Sequence, residues 1–364
     1  MSAHAVHPES SRLEPPAGFE DLLVLTGERS GVTIAIAVHS TALGPALGGA
    51  RLWHYESIDD GVADALRLAR AMTYKAAAAG LPLGGGKGVI CAPTSHPEGD
   101  LRRAMLLDFG DAVESLGGHY VTAEDVGTGA ADMAVIAERT AHVVGLANER
   151  GGSGDPSPVT ARGVLAALHA CLEHRFGNPS PAGVRVCVVG AGHVGARLAR
   201  LLADAGAELT ISDVDPARRA LADQLGAGWV DPAEAILADC DVLAPCALGG
   251  VIDAPTVDRL DCAIVCGAAN NVLADDHLAV ALASRDITYA PDFIANAGGL
   301  INVYAELEGL DHQAVTALVD GIGSTTRLIL EAADRHGTTP LAEAKGQALS
   351  RLQGGAPGGA VGAR

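Results

Sequence analysis

Two lysines and an aspartate are the residues of this sequence best suited to moving protons. The chain has only three lysines, Lys75, Lys87 and Lys345, against 22 arginines, and the first two fall within a span of 13 residues. Arginine stays charged at every accessible pH, whereas a buried lysine can give up its proton. A chain that uses arginine wherever a generic positive charge serves marks Lys75 and Lys87 as positions that need an amine. Lys87 lies in "GLPLGGGKG" (80–88). This is not a Walker phosphate loop. The pattern G-x-x-x-x-G-K-[ST] requires glycine where Leu81 stands and a hydroxyl where Gly88 stands. Two readings remain: an exposed lysine on a flexible glycine loop, or an amine aimed at a substrate. A lysine of lowered pKa needs burial or a neighbouring cation, and Lys75 could supply the cation while pairing with a substrate carboxylate. Asp125 ends the run "HYVTAED". There it is equally a helix N-cap or a proton carrier at the C-terminal end of a strand, where α/β sites gather.

A second motif supplies a cofactor. In "VRVCVVGAGHVGARLARLL" the residues Gly190, Gly192 and Gly195 form G-x-G-x-x-G, with Ala191, His193 and Val194 between and beside them. The motif follows an apolar strand pattern and opens a helix pattern, the context of a dinucleotide fingerprint. Asp213 ends the next strand pattern, "ELTISD", 18 residues after Gly195. A carboxylate there accepts from a ribose diol and repels a 2′-phosphate, which favours NAD over NADP. Arg218 and Arg219 close by weaken that preference somewhat. Two amines and a carboxylate beside a nicotinamide make an amino-acid site: one amine holds the α-carboxylate, the other activates water, and the acid carries protons to and from nitrogen.

These residues need two α/β frameworks. The segment 32–40 is a β-branched run and reads as a strand, and 57–80 reads as a helix with an S-x-x-D cap at Ser57 and Asp60. Strand 88–93, helix 101–116, the strand ending at Asp125 and helix 133–138 continue the alternation. After a Gly, Ser and Pro-rich stretch comes helix 159–175, followed by strand 184–189, helix 194–205 and strand 208–212 as a βαβ unit. Further strands are expected at 241–243, 263–266 and 287–290. The fold class is therefore α/β with two doubly wound domains. The expected divisions are a loose leader at 1–18, a substrate domain at 19–147, a Rossmann nucleotide domain at 148–318, helices at 319–352 returning to the first domain, and a loose tail at 353–364.

Composition narrows the partners. Formal net charge is −19 with no basic run, which excludes a nucleic-acid surface. The seven cysteines include no CxxC pair and lie mostly in apolar runs, as small buried thiols in a reducing cytoplasm do. No signal peptide or long apolar span is visible, so no membrane partner is expected. The 13 histidines show no ligand spacing, so no metal is expected; His193 falls in the nucleotide turn, on the solvent side.

The stretches "TALGPALGGARLWHY", "DALRLARAMTYKAAAAGLPLGGGKGVI", "YVTAEDVGT", "GDPSPVTARGV", "APCALGGVI", "CGAANNVLA" and "YAPDFIANAGGLINV" together resemble the amino-acid dehydrogenases acting on leucine, valine and phenylalanine, relatives of glutamate dehydrogenase. The resemblance runs from about Val24 to Ala348. It implies NAD-dependent oxidative deamination of an L-amino acid, through an imine, to the 2-oxo acid and ammonia. By the resemblance, Lys75 binds the substrate carboxylate, Lys87 is the low-pKa base that activates water, and Asp125 carries the proton of the amino nitrogen. The resemblance further implies that Thr160 lies near the nicotinamide carboxamide, that Ala247 contacts the cofactor, and that Asn270 and Asn271 lie where nicotinamide ribose and substrate carboxylate meet. Gly48 and Gly49 would offer backbone N–H groups, and the glycines around Lys87 would let substrate and cofactor come close. The side-chain pocket would be lined by Leu47, Ala123, Leu300 and Val303. Glutamate dehydrogenases carry a lysine at the Leu47 position. An apolar residue there leaves a distal carboxylate unpaired, at a cost on the order of several kcal/mol. Phenylalanine-acting relatives tend to have a smaller residue there. Leu300 stands where typical leucine dehydrogenases have valine, a difference of about 1–3 kcal/mol in selectivity. Leucine, isoleucine and valine are the expected substrates, with a tilt toward shorter chains, and a homo-oligomer is the expected assembly. The alternatives are phenylalanine dehydrogenation and a catalytically silent NAD-binding regulator, which would be expected to lack Lys87 or Asp125. A hydroxy-acid enzyme would leave the two lysines unexplained.

Overall fold

A computed structural model describes residues 11–147, 149 and 152–354. It divides into two compact units. The first runs to Asp155 and takes in Glu306–Glu308 and the chain from Ala348 on; the second holds Pro156–Ala305 and Gly309–Gln347.

The first unit is built on a six-stranded sheet in the order β1-β2-β3-β5-β4-β6. The strands are β1 (Ser11–Arg12), β2 (Asp21–Thr26), β3 (Thr33–Ser40), β4 (Ala46–Trp53), β5 (Gly84–Cys91) and β6 (Tyr120–Glu124). β4, β5 and β6 are parallel, while β1, β2 and β3 extend the sheet antiparallel, so this sheet is mixed. Helix α1 (Ile58–Ala78) covers one face. Its Ser57 cap accepts from the Asp60 N–H at 3.2 Å, as the sequence pattern requires. The buried stripe of α1 is Gly61, Ala65, Ala69, Thr73, Ala76 and Ala77, while the larger Val62, Leu66 and Met72 are only half-buried. Small residues let the helix approach the sheet closely. Helices α2 (Gly99–Glu114) and α3 (Ala130–Ile136) cover the other face, where Met105, Phe109, Met133 and Ile136 pack with Ile34, Ile36, Leu52 and Ile90. Full burial of each such side chain is worth about 1.5–3 kcal/mol.

The second unit has an all-parallel sheet in the order β12-β11-β10-β7-β8-β9. Its strands are β7 (Arg185–Val189), β8 (Glu208–Ser212), β9 (Gly228–Trp229), β10 (Val242–Pro245), β11 (Ile264–Val265) and β12 (Thr288–Tyr289). Counted from β7 this is the 3-2-1-4-5-6 order of a dinucleotide-binding fold. Helix α4 (Ser157–Phe176) packs on helix His312–His336, where Gly163 leaves room for Ile322. Helix α5 (His193–Asp204) follows β7 directly.

Three expectations change. The division falls at Asp155 and not near 147, because the chain to Gly154 still bonds within the first unit: Glu306 Oε2 accepts from the N–H groups of Gly145 and Ser153. Most of 319–352 belongs to the second unit, held by pairs such as Arg162–Asp320; the return to the first unit is made by the last turns, where Ala348 and Leu352 pack with Leu43, Tyr74 and Ala77. Of the expected leader only residues 11–18 are described, and residues 11–12 are a strand paired with Leu23 and Val24; of the tail, residues 353–354 close a helix. The rest of both segments lies outside the described residues. No helix among the described residues is long and apolar enough to cross a membrane.

Candidate active site

The glycine–lysine stretch is a central strand and not a loop. β5 lies between β3 and β4, with Ala37 opposite Lys87 on one side. The glycines make room for protein and not for ligands. A Cβ on Gly85 would strike the Thr73 backbone of α1, one on Gly86 would stand 2.6 Å from the Tyr120 ring, and one on Gly88 would strike the Phe109 ring. Pairing of β4 with β5 lapses at Gly48–Gly49. There the Tyr120 hydroxyl donates to the Gly48 carbonyl at 2.8 Å, and the Asp125 side chain lies where a Gly49 Cβ would be.

Lys87 is 4% exposed. Its Nζ lies 2.8 Å from Asp125 Oδ2, one residue past the end of β6. Asp125 is not a helix cap, since α3 is capped at Gly129; its own N–H donates to the Thr128 hydroxyl at 3.0 Å. Burial pushes the Lys87 ammonium below its ordinary pKa. The Asp125 charge opposes this and the Arg51 charge reinforces it. Burial alone would raise the Asp125 carboxyl, but Lys87 and Arg51 outweigh it and hold it below the usual value. Lys75 is half-buried near the end of α1, Leu47 is fully buried in β4, and Ala123 on β6 pairs in register with Gly49. Sequence reasoning missed Arg51, whose Nε donates to Asp125 Oδ2 at 2.8 Å. The available signal was an arginine within the apolar strand pattern "ALGGARLW".

In the second unit the glycine turn closes as its spacing requires. Gly190 has φ +102° and no room for a Cβ beside Ala247, and a Cβ on Gly195 would strike the Gly190 carbonyl. Nothing lies within 4 Å of a Cβ built on Gly192, and α5 begins there with no side chain on its first N–H groups. An open turn and uncapped amides suit a pyrophosphate, so the residues present fit a dinucleotide. His193 opens α5 and is exposed, Val194 is half-buried, and Asp213 Oδ2 accepts from the Ala191 N–H at 2.6 Å. Asn270 and Asn271 are exposed, the latter at φ 51°; Asn270 Oδ1 accepts from the buried Asn296 Nδ2 at 2.8 Å, another partner sequence reasoning missed. Thr160 is buried on α4 with Gly299 beside it, and Leu300 and Val303 are buried on helix Gly298–Glu308. The structure thus gathers Lys75, Lys87, Asp125, Leu47, Gly48, Gly49 and Ala123 in the first unit and the other candidates in the second.

Residues 25–142 match the family model described as "Glu/Leu/Phe/Val dehydrogenase, dimerisation domain", and residues 217–317 the one described as "Glutamate/Leucine/Phenylalanine/Valine dehydrogenase". The leucine dehydrogenase of Thermoactinomyces intermedius is 42% identical over 337 residues, 92% of this chain and 91% of that protein. The valine dehydrogenase of Streptomyces virginiae is 43% identical over 339 residues, 92% and 94% of the two chains. The crystal structure of L-tryptophan dehydrogenase from Nostoc punctiforme superposes with a TM-score of 0.80 at 37% identity, covering 93% of this chain and 96% of that one. With both domains matched and the glycine turn, Lys87 and Asp125 in place, the chain belongs to the glutamate, leucine, phenylalanine and valine family of amino-acid dehydrogenases.

Proposed function

We propose that the protein catalyses the reversible, NAD-dependent oxidative deamination of branched-chain L-amino acids, leucine, isoleucine and valine, to the 2-oxo acid and ammonia. The observation that carries this reading is the buried ion pair of Lys87 and Asp125, 2.8 Å apart. Lys75 holds the α-carboxylate. Asp125 takes the proton released by the amino nitrogen. A bound dinucleotide supplies the hydride acceptor for Cα. Lys87, uncharged, then takes a proton from water as the oxygen adds to the imine carbon, and Asp125 returns a proton to the departing ammonia. Thr160, Ala247, Asn270 and the 190–195 turn hold the cofactor, and Asn271, Gly48 and Gly49 help hold the substrate. Asp213 selects NAD, and its competitor Arg218 is drawn to Asp215 at 3.6 Å.

Specificity rests on Leu47, Ala123, Leu300 and Val303, an apolar set without a partner for a distal carboxylate. A second reading, an aromatic substrate, is favoured by the tryptophan dehydrogenase of Nostoc punctiforme, 40% identical over 337 residues. The dimerisation description of residues 25–142 supports a homo-oligomer, and seven unpaired cysteines suit a cytoplasmic enzyme. The test is kcat/KM across L-amino acids with NAD and NADP, followed by the absorbance of the reduced cofactor. Leucine, isoleucine and valine should lead; a preference for tryptophan or phenylalanine would establish the second reading, and a preference for glutamate would overturn both.

A further inference from the structure

Three neighbouring strands deliver three charges to one point. Lys87 comes from β5, Asp125 follows β6, and Arg51 comes from β4, the strand between them. Lys87 Nζ and Arg51 Nε both lie 2.8 Å from the same oxygen, Asp125 Oδ2. The far side of the guanidinium is fixed too: Arg51 Nη1 lies 2.9 Å from Asp64 Oδ2 on α1, and Asp64 accepts from the Tyr55 hydroxyl at 2.7 Å and Arg67 Nη2 at 2.6 Å. That end borders a cavity of about 500 Å³ lined in part by Arg51, Tyr55, Asp64 and Arg67. The Arg51 side chain is 20% exposed.

A lysine alone with an aspartate in a buried site keeps its proton, because the carboxylate would otherwise be left unpaired. A second, permanent cation on the same oxygen removes that constraint. We propose that Arg51 is a positioning residue of this site: it anchors Asp125 through Oδ2 and frees Lys87 to shed its proton while Asp125 stays ionised. This rests on the deamination reading above. The charged and titratable groups set around Lys87 are Asp125, Arg51 and Asp64, with Tyr120 close to Asp125 and Tyr55 and Arg67 bonded to Asp64. The downward displacement of the Lys87 pKa and the depressed Asp125 carboxyl accord with this arrangement.

The test is the pH profile of kcat/KM for deamination in Arg51→Gln, Arg51→Lys and Asp64→Asn, with binding of the reduced dinucleotide followed by its fluorescence. In Arg51→Gln the rise of activity with pH should move alkaline by about one pH unit. At neutral pH the rate should fall by about 10- to 100-fold, with part of the loss recovered at high pH. Arg51→Lys keeps a cation but not the two-ended fork, so its limb should stay nearer the native position. Cofactor binding should be unchanged in all three. A limb that does not move, or a loss equal at every pH, overturns the proposal. Should Arg51→Gln fail to fold, Asp64→Asn removes a charge that holds the Lys87 pKa up and masks Arg51, so it should move the limb acid by a smaller amount, and an unmoved or alkaline-shifted limb there overturns the proposal as well. Lys87→Ala separates the two claims. If it retains turnover, the deamination chemistry itself is refuted; if it is inactive while the Arg51 variants keep the native profile, only the role of Arg51 is refuted.

Discussion

Lys87 Nζ stands 2.8 Å from Asp125 Oδ2 with only 5% of its side chain exposed, against 22% for the aspartate. Burial works against the charged amine, so Lys87 reaches its neutral form below the ordinary lysine value of 10.5. The water-activating step proposed for Lys87 needs that neutral form. Deamination should therefore rise with pH through the lowered Lys87 pKa and level off before an ordinary lysine has titrated. Lys87→Arg substitutes a group that cannot lose its proton. It should reduce kcat by about 10²- to 10⁴-fold while dinucleotide binding, measured by fluorescence titration, is retained. Near-native turnover would remove Lys87 from the mechanism.

The proposed preference for NAD rests on Asp213. Its Oδ2 is tied to the Ala191 N–H and its Oδ1 accepts from the Asp215 N–H at 2.8 Å, so both oxygens hold the carboxylate at the glycine turn. Hydrogen bonds to a charged group contribute about 1.5–3 kcal/mol. Asp213→Ala should weaken NAD by about 10- to 100-fold and leave NADP little changed or improved. Equal losses for both in Kd measurements would dispose of the ribose role.

The second unit was largely legible in the sequence because its strands and helices each keep one period. The run 186–189 is uniformly apolar as a doubly covered parallel strand must be, and the three glycines sit where β7 turns into α5. The first unit was harder. Strands β4 and β5 read "ALGGARLW" and "GGGKGVIC", and glycines carry no alternation from which to read a strand. Their identity depends on Thr73, Phe109 and Tyr120, residues remote in sequence that occupy the space the missing side chains leave. The same remoteness hid Arg51. Its one local mark, an arginine inside "ALGGARLW", says nothing of its partners Asp64 and Asp125, which come from α1 and the end of β6.

Asp108 should be a stability determinant with an acid signature. It is a helix residue, 3% exposed, that accepts from the Ser30 N–H at 2.9 Å, the Ser30 hydroxyl at 2.7 Å and Arg29 Nη1 at 2.8 Å, clamping the turn between β2 and β3. Burial alone would raise its carboxyl; the bonds from Ser30 and Arg29 outweigh this and hold it below 3.8. Its contribution is therefore fully present above the ordinary carboxylate value and fades as pH falls through the lower folded value. Asp108→Asn replaces an acceptor by an amide that faces donors, at a cost of about 1–3 kcal/mol. Urea unfolding at neutral pH should show that loss, and the gap between native and variant should narrow in acid. A constant gap would refute the electrostatic part.

Two glycine-to-alanine changes should act in opposite directions. Gly86 has an ordinary strand conformation, so alanine there meets no backbone strain. It meets the Tyr120 ring at 2.6 Å instead, and that ring is fully buried with its hydroxyl tied to Gly48. Neither can retreat without opening the sheet, and overpacking of this kind costs about 1–3 kcal/mol. Gly321 lies inside helix His312–His336 with nothing within 4 Å of a new Cβ. Alanine there removes only the entropic cost of glycine in a helix, a gain of about 0.5–1 kcal/mol. Urea midpoints should fall for Gly86→Ala and rise for Gly321→Ala. Because Gly86 adjoins Lys87 in β5, the first variant should also lose deamination activity at temperatures where it remains folded, whereas the second should keep native kcat. A Gly86→Ala protein of unchanged stability would mean that Tyr120 does not hold β5 in place.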